Sequence, residues 1–221
     1  MTMESGLLLL ESVLLVATVA LLLYNIHEGK QREILLRGLE RAAKVLSRQE
    51  YFLSLMDAML EAKREIIGCV TGRPPSGDDL KMTKSIVEAI EKMTKKGVRI
   101  RYLLPKFPDR LQMGIQYTKA GAEVFFSSCL LVHNMRYSVI DDRTVVLGIP
   151  ESIGEKEATK KGYRIISDGL AGILKSNFDS CERQVGLKDY LREVIEQTGA
   201  TPEHLAAEFR LDVNDLKKYL P

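Results

Sequence analysis

The chain has no tryptophan, only three histidines and only three cysteines in 221 residues. So few imidazoles and thiols exclude a metal-rich centre, and the missing Trp argues against an aromatic-rich binding surface. Cys69, Cys129 and Cys181 are far apart in sequence and form no C-x-x-C pair. That excludes a dense disulfide framework and structural zinc, and the three are read as reduced and unpaired. Charge of one sign is also missing: 32 Lys and Arg against 30 Asp and Glu leave +2. Neither a strongly basic nucleic-acid coat nor an acidic tail protein fits, although local patches remain open. At 45% hydrophobic and 28% charged the chain is neither disordered nor collagen-like. Its length suits one domain with accessories, or two small ones, with a core that needs no staples.

What is present is uneven. Residues 6–26 read GLLLLESVLLVATVALLLYNI, apolar on every face, with Glu11 the one charge. At 1.5 Å per residue this spans roughly 30 Å, the hydrocarbon thickness. No Lys or Arg precedes the run, and no small-x-small site follows it, so an uncleaved anchor is expected rather than a signal peptide. Lys30, Arg32, Arg37, Arg41, Lys44 and Arg48 follow. The positive-inside rule then puts the N-terminus outside and the body in the cytoplasm.

From Glu28 to Arg64, apolar residues recur at helical spacing, predicting one or two helices joined near Ser47–Glu50. Residues 28–47 are read as a juxtamembrane helix. From Glu65 the pattern becomes α/β. Strands are expected at Ile66–Val70, Val98–Leu104, Ala122–Ser127, Tyr137–Asp141, Thr144–Leu147 and Tyr163–Ser167. Helices are expected at Leu80–Lys96, Leu111–Ala120 and Asp168–Gln184, with Gly97 and Gly121 closing the first two. Strands alternating with helices, then a hairpin about Asp142-Arg143, indicate a three-layer α/β domain with a mixed sheet.

The stretch from Leu131 to Gly148 (LVHNMRYSVIDDRTVVLG) resembles the phospholipase D-like superfamily. Its hallmark is H-x-K, four residues and Asp, followed by a hydrophobic strand and Gly-Ser-x-Asn. GVRIRYLLP, GAEV and a closing helix with Phe178-Asp179 extend the resemblance over residues 48–186. Aligned on Asp141, the motif lysine becomes Arg136 and the motif histidine becomes Asn134, with His133 one residue early. Counted from His133 instead, Met135 and Ile140 take the lysine and aspartate places. Ile149-Pro150-Glu151 follows Gly148 in place of Ser-x-Asn. The resemblance implies a phosphohistidine mechanism in which one His attacks phosphorus and a second protonates the leaving group. Lys would hold the phosphate and Asp would orient a His. Asn can serve neither as nucleophile nor as proton shuttle, whereas Arg can still bind phosphate. One motif copy also means that catalysis would need a homodimer.

Residues 187–221 read as three short helices, Leu187–Gln197, Glu203–Arg210 and Val213–Leu220. They resemble a helix-turn-helix in which Arg210 replaces the usual glycine of the turn. The last helix offers Asn214, Lys217 and Lys218 to DNA or a protein partner, diluted by Asp212 and Asp215.

The expected architecture is a phospholipase D-like mixed α/β sheet flanked by helices, with an N-terminal transmembrane helix and a C-terminal tri-helical tail. The divisions are an anchor at 1–27, a juxtamembrane helix at 28–47, the α/β domain at 48–186 and the tail at 187–221. The function expected is that of a membrane-anchored, non-catalytic sensing or scaffolding module. It would hold an anionic small-molecule ligand at Asn134, Arg136 and Asp141, and touch the bilayer through residues 6–26. A homodimeric phosphodiesterase using His133 and a membrane-tethered DNA-binding regulator stay open. No cofactor and no metal is expected.

Overall fold

The computed structural model describes residues 43–77, 79–129, 132–133, 135–150, 159–181 and 184–220, with Thr18 alone before them. The expected bilayer span, residues 28–42 of the expected juxtamembrane helix, and Asn134 lie outside the described residues. Among those described, no helix is long and apolar enough to cross a membrane.

The chain order is β1 (Ala43–Ser47), α1 (Arg48–Glu61), β2 (Glu65–Cys69), α2 (Asp79–Lys95) and β3 (Arg99–Pro105). A short 3-10 turn (Pro108–Arg110) then leads into α3 (Leu111–Lys119), β4 (Glu123–Ser127), β5 (Arg136–Ile140) and β6 (Thr144–Pro150). After β7 (Thr159–Ile166) come α4 (Asp168–Asp179), β8 (Val185–Gly186), α5 (Leu187–Thr198), α6 (Pro202–Glu208) and α7 (Val213–Tyr219). Among the described residues the strands make one mixed sheet in the order β1-β7-β6-β5-β2-β3-β4-β8. β2, β3 and β4 are parallel, joined by the crossover helices α2 and α3. β5, β6 and β7 form an antiparallel meander paired onto β2.

Alternation along the strands sends side chains to two cores. Ile66, Ile100, Tyr102, Val124 and Phe126 join the cluster that includes α1, α2, α3 and α5. Ile67, Leu103, Tyr137 and Val139 are buried too, outside that cluster. Tyr137 ties this opposite face to α4, its hydroxyl donating to the Leu174 carbonyl at 3.1 Å. Lys44–Pro221 is one compact unit, and Leu187, Tyr190, Leu191, Leu205 and Leu216 belong to its core.

Three expectations are corrected. Residues 43–47 are a strand beside β7, not helix. Ser47 caps α1, and its capping box with Glu50 sets a fresh helix start there. Leu46, within the expected juxtamembrane helix, is instead buried from a strand. The fourth helix ends at Asp179 rather than Gln184, and a two-residue strand, β8, then pairs with β4. Cys129 and Cys181 are not unpaired: they form a disulfide with Cα atoms 6.4 Å apart, leaving Cys69 as the buried free thiol. The fold brings together two cysteines 52 positions apart, which spacing alone did not reveal. The reduced-cysteine argument for a cytoplasmic body therefore falls away.

Candidate functional site

β5 leaves the middle of the sheet with Arg136 and Ser138 on one face and Tyr137 and Val139 on the other, by strand alternation. The Arg136 face opens on a cavity of about 430 Å³. Its walls come from the start of α1 (Arg48, Tyr51, Phe52, Leu55), the Val70–Ser76 loop after β2, and the first half of α2. Tyr102 of β3 and Tyr117 of α3 complete the lining.

Two glycines give the cavity its shape. Gly68 lies between Tyr102 and Ser138 in register, and a Cβ there would come within 2.9 Å of the Tyr137 carbonyl and 3.1 Å of Ser138 Oγ. Gly72 takes φ +58° where the loop turns against Leu104, whose Cδ2 would meet an added Cβ at 2.3 Å. Only glycine fits that combination of positive φ and close approach.

The lining carries guanidiniums from Arg48, Arg73 and Arg136 and one carboxylate, Asp79. Arg48 Nη2 donates to both carboxylate oxygens of Asp79, at 2.8 and 2.6 Å, which fixes the start of α2 to the start of α1. The three tyrosines are buried, and Tyr102 and Tyr117 meet edge to face with ring centres 5.3 Å apart. Burial pushes the Tyr51 hydroxyl up to about 12, although the Arg136 charge draws it partly back. Burial pushes Tyr102 and Tyr117 up as well, each reinforced by neighbouring phenols. All three therefore stay protonated near neutrality and act as hydrogen-bonding groups, not nucleophiles.

The three described motif residues do not converge. Arg136 lines the cavity. His133 is exposed and outside the cavity lining, its ring edge-on to Phe107 at 5.2 Å, with Arg110 over the other ring of the pair at 5.5 Å. Asp141 turns away to the opposite end of β2. It takes φ +52°, and its carboxylate accepts from the backbone N–H groups of Lys63, Arg64 and Glu65 at 2.8, 2.8 and 3.0 Å. Burial raises its pKa, but those amides and Arg64 outweigh that and hold the carboxyl below its ordinary value. Its role is to join the β5–β6 turn to the start of β2. Asn134 lies outside the described residues.

In the C-terminal segment, Leu216 is fully buried and Arg210 does adopt the left-handed φ, +52°, of the glycine it replaces. Lys217 pairs with Glu203 at 2.9 Å and Lys218 with Asp215 at 3.5 Å. Asp215 also pairs with Lys119, fastening α7 to α3. Asn214 is the second residue of α7, its backbone N–H donating to Asp212 at 2.7 Å. Helix α7 is seven residues long and its basic side chains are already matched by acids.

A larger groove of about 670 Å³ runs between α2, α3 and the turn after α6. It is lined by groups such as Lys84, Gln112 and Phe209, and none of the motif positions reaches it. The smaller cavity, with its guanidiniums and phenols, is the better chemical site. Among the described residues no group of three or more His, Cys, Asp or Glu is placed to hold a metal ion. The tyrosines of the site were invisible as a set in the sequence, because α1, β3 and α3 supply one each.

No protein-family description and no curated protein sequence matches the chain. Solved structures do. NucT from Helicobacter pylori superposes with a TM-score of 0.51 at 15% identity, over 65% of this chain and 98% of that one. Nuc from Salmonella typhimurium, a phospholipase D family member, gives 0.48 at 16% identity, over 65% and 96%. TrmBL2, an archaeal chromatin protein whose structure shows a novel mode of DNA binding, gives 0.49 at 17% identity, over 72% of this chain. The chain spans 63% of the TrmBL2 length. The fold is phospholipase D-like, as the strand order and the stretch around Asp141 suggested.

Proposed function

We propose that this phospholipase D-like domain does not hydrolyse phosphodiesters and instead binds a small anionic ligand in the cavity beneath α1, as a sensing or scaffolding module. The observation that carries this is the separation of the motif. Arg136, at the lysine position, faces a cavity whose described lining includes no imidazole, while His133 packs on Phe107 outside it. A guanidinium can hold an anion through paired hydrogen bonds. Without a nucleophile and a proton donor beside it, phosphorus chemistry has no first step.

In this reading residues 6–26 anchor the chain in a bilayer. The C-terminal segment is a protein contact rather than a DNA reader. Residues 187–221 hold five Lys and Arg against seven Asp and Glu, a net charge of −2, which repels phosphate backbones.

The test is hydrolysis of bis(4-nitrophenyl) phosphate by the full chain at high enzyme concentration, beside His133→Ala. The proposal expects no turnover above buffer from either. Turnover that His133→Ala abolishes would instead establish the homodimeric phosphodiesterase.

A further inference from the structure

Three phenols belong to the cavity lining. Tyr51, Tyr102 and Tyr117 are 7%, 3% and 8% exposed, and all three line the cavity. Among the described residues none of their hydroxyls is hydrogen-bonded to a protein group, and none is sealed off from solvent as a buried orphan. A buried hydroxyl loses stability unless something supplies its missing partner, and here the groups share one accessible space. Being protonated, each phenol both donates and accepts, which suits the hydroxyl of a ligand. The edge-to-face packing of Tyr102 on Tyr117 fixes two of them, and Gly162 beneath Tyr51 fixes the third. The guanidiniums form the other pole, and Leu55, Val70 and Ile86 supply apolar walls. A volume of about 430 Å³ suits a small metabolite.

We infer that the cavity takes a phosphorylated polyol, a small organic phosphate whose carbon skeleton carries hydroxyl groups, and that Tyr51, Tyr102 and Tyr117 are its specificity-determining residues. This rests on the anion-binding reading above and adds what the uncharged part of the ligand must be. The phosphate lies toward Arg136, and the hydroxylated skeleton lies against the phenols.

The experiment is calorimetric titration of the full chain with three probes: inorganic phosphate, glucose 6-phosphate and cyclohexyl phosphate. The last two share charge and bulk and differ in their hydroxyls. Glucose 6-phosphate is expected to bind at least about tenfold more tightly than cyclohexyl phosphate, since one or two buried hydrogen bonds are worth that much. Tyr102→Phe and Tyr117→Phe should each shrink this ratio without lowering the melting temperature of the unliganded chain, since each removes a buried hydroxyl that has no protein partner. Equal binding of the two organic phosphates, or a ratio indifferent to both variants, overturns the polyol assignment and leaves the anion site standing. If none of the three probes binds, the anion-binding reading itself fails, and this inference with it.

Discussion

Gly162 of β7 lies directly under Tyr51 of α1: a methyl group on Gly162 would stand 2.5 Å from Tyr51 Cδ2 and 2.8 Å from its Cβ. The missing side chain lets the helix settle on the sheet and brings the Tyr51 ring into the cavity. Gly162→Ala should therefore destabilise the fold by about 1–3 kcal/mol through overpacking. Chemical denaturation of the single and double variants checks the cause. With Tyr51→Ala as the partner change, the combined loss should be smaller than the sum of the two, because the clash disappears. Additive losses would show that the contact is not the reason.

Asp141 is expected to be a folding residue, not a ligand-binding one. Its carboxylate accepts three backbone N–H groups at the start of β2. Asp141→Asn should lower stability by about 1–2 kcal/mol, a value kept small because the group retains contact with water. Ligand affinity should be unchanged at temperatures where the variant is folded. A large loss of affinity with unchanged stability would contradict this.

Glu65, at the start of the interior strand β2, links β3 and α4, accepting from Arg101 at 2.9 Å and Lys175 at 2.8 Å. Arg101 is also held by Asp179 and lies 5.1 Å over the Phe178 ring. Burial raises the Glu65 pKa, but hydrogen bonds from Lys175 and Arg101 outweigh it and leave the carboxyl below its ordinary 4.5. Asp141 is likewise held below its ordinary 3.8. A depressed carboxylate contributes stability above its unfolded-state value and loses it as the pH falls through the folded value. Stability should thus be flat near neutrality and fall below those ordinary values. Glu65→Gln should lower the plateau and flatten the acid limb. An acid limb of unchanged steepness would count against this network as its source.

Closing a loop between cysteines 52 positions apart restricts the unfolded chain, which typically adds about 2–4 kcal/mol. Reduction, or Cys129→Ser with Cys181→Ser, should lower stability by that order. Thiol counting by mass spectrometry on the unreduced protein should find one free cysteine, the buried Cys69, whose thiol is pushed up to about 12 by burial. Three free thiols in the folded protein would contradict the pairing.

Much of the fold was legible because its signals are local. The apolar runs IIGCV and VRIRYLL, and the closing glycines at 97 and 121, mark elements whichever neighbours they acquire. Residues 43–47 misled because Val45 and Leu46 fit a helical face and a strand equally well, and only pairing beside β7 decides. β8 is two residues long and exists through its pairing with β4. The site was half legible. Arg136 followed from the motif register, whereas Arg48 and Arg73 carry no local signature and reach the cavity through tertiary packing. Asp141 was read as a ligand candidate because the motif names the residue type, but the backbone amides that it holds are 76 to 78 positions away.

In the proposed function Arg136 anchors an anion in the cavity beneath α1. Calorimetric titration of inorganic phosphate into the full chain and into Arg136→Ala tests it most directly. The account predicts one saturable site in the wild type, weakened by added salt, and at least about a tenfold loss of affinity in Arg136→Ala, as expected for removing a charged hydrogen-bonding group. Saturable binding that Arg136→Ala leaves intact, or no binding by a folded wild-type chain, would contradict it.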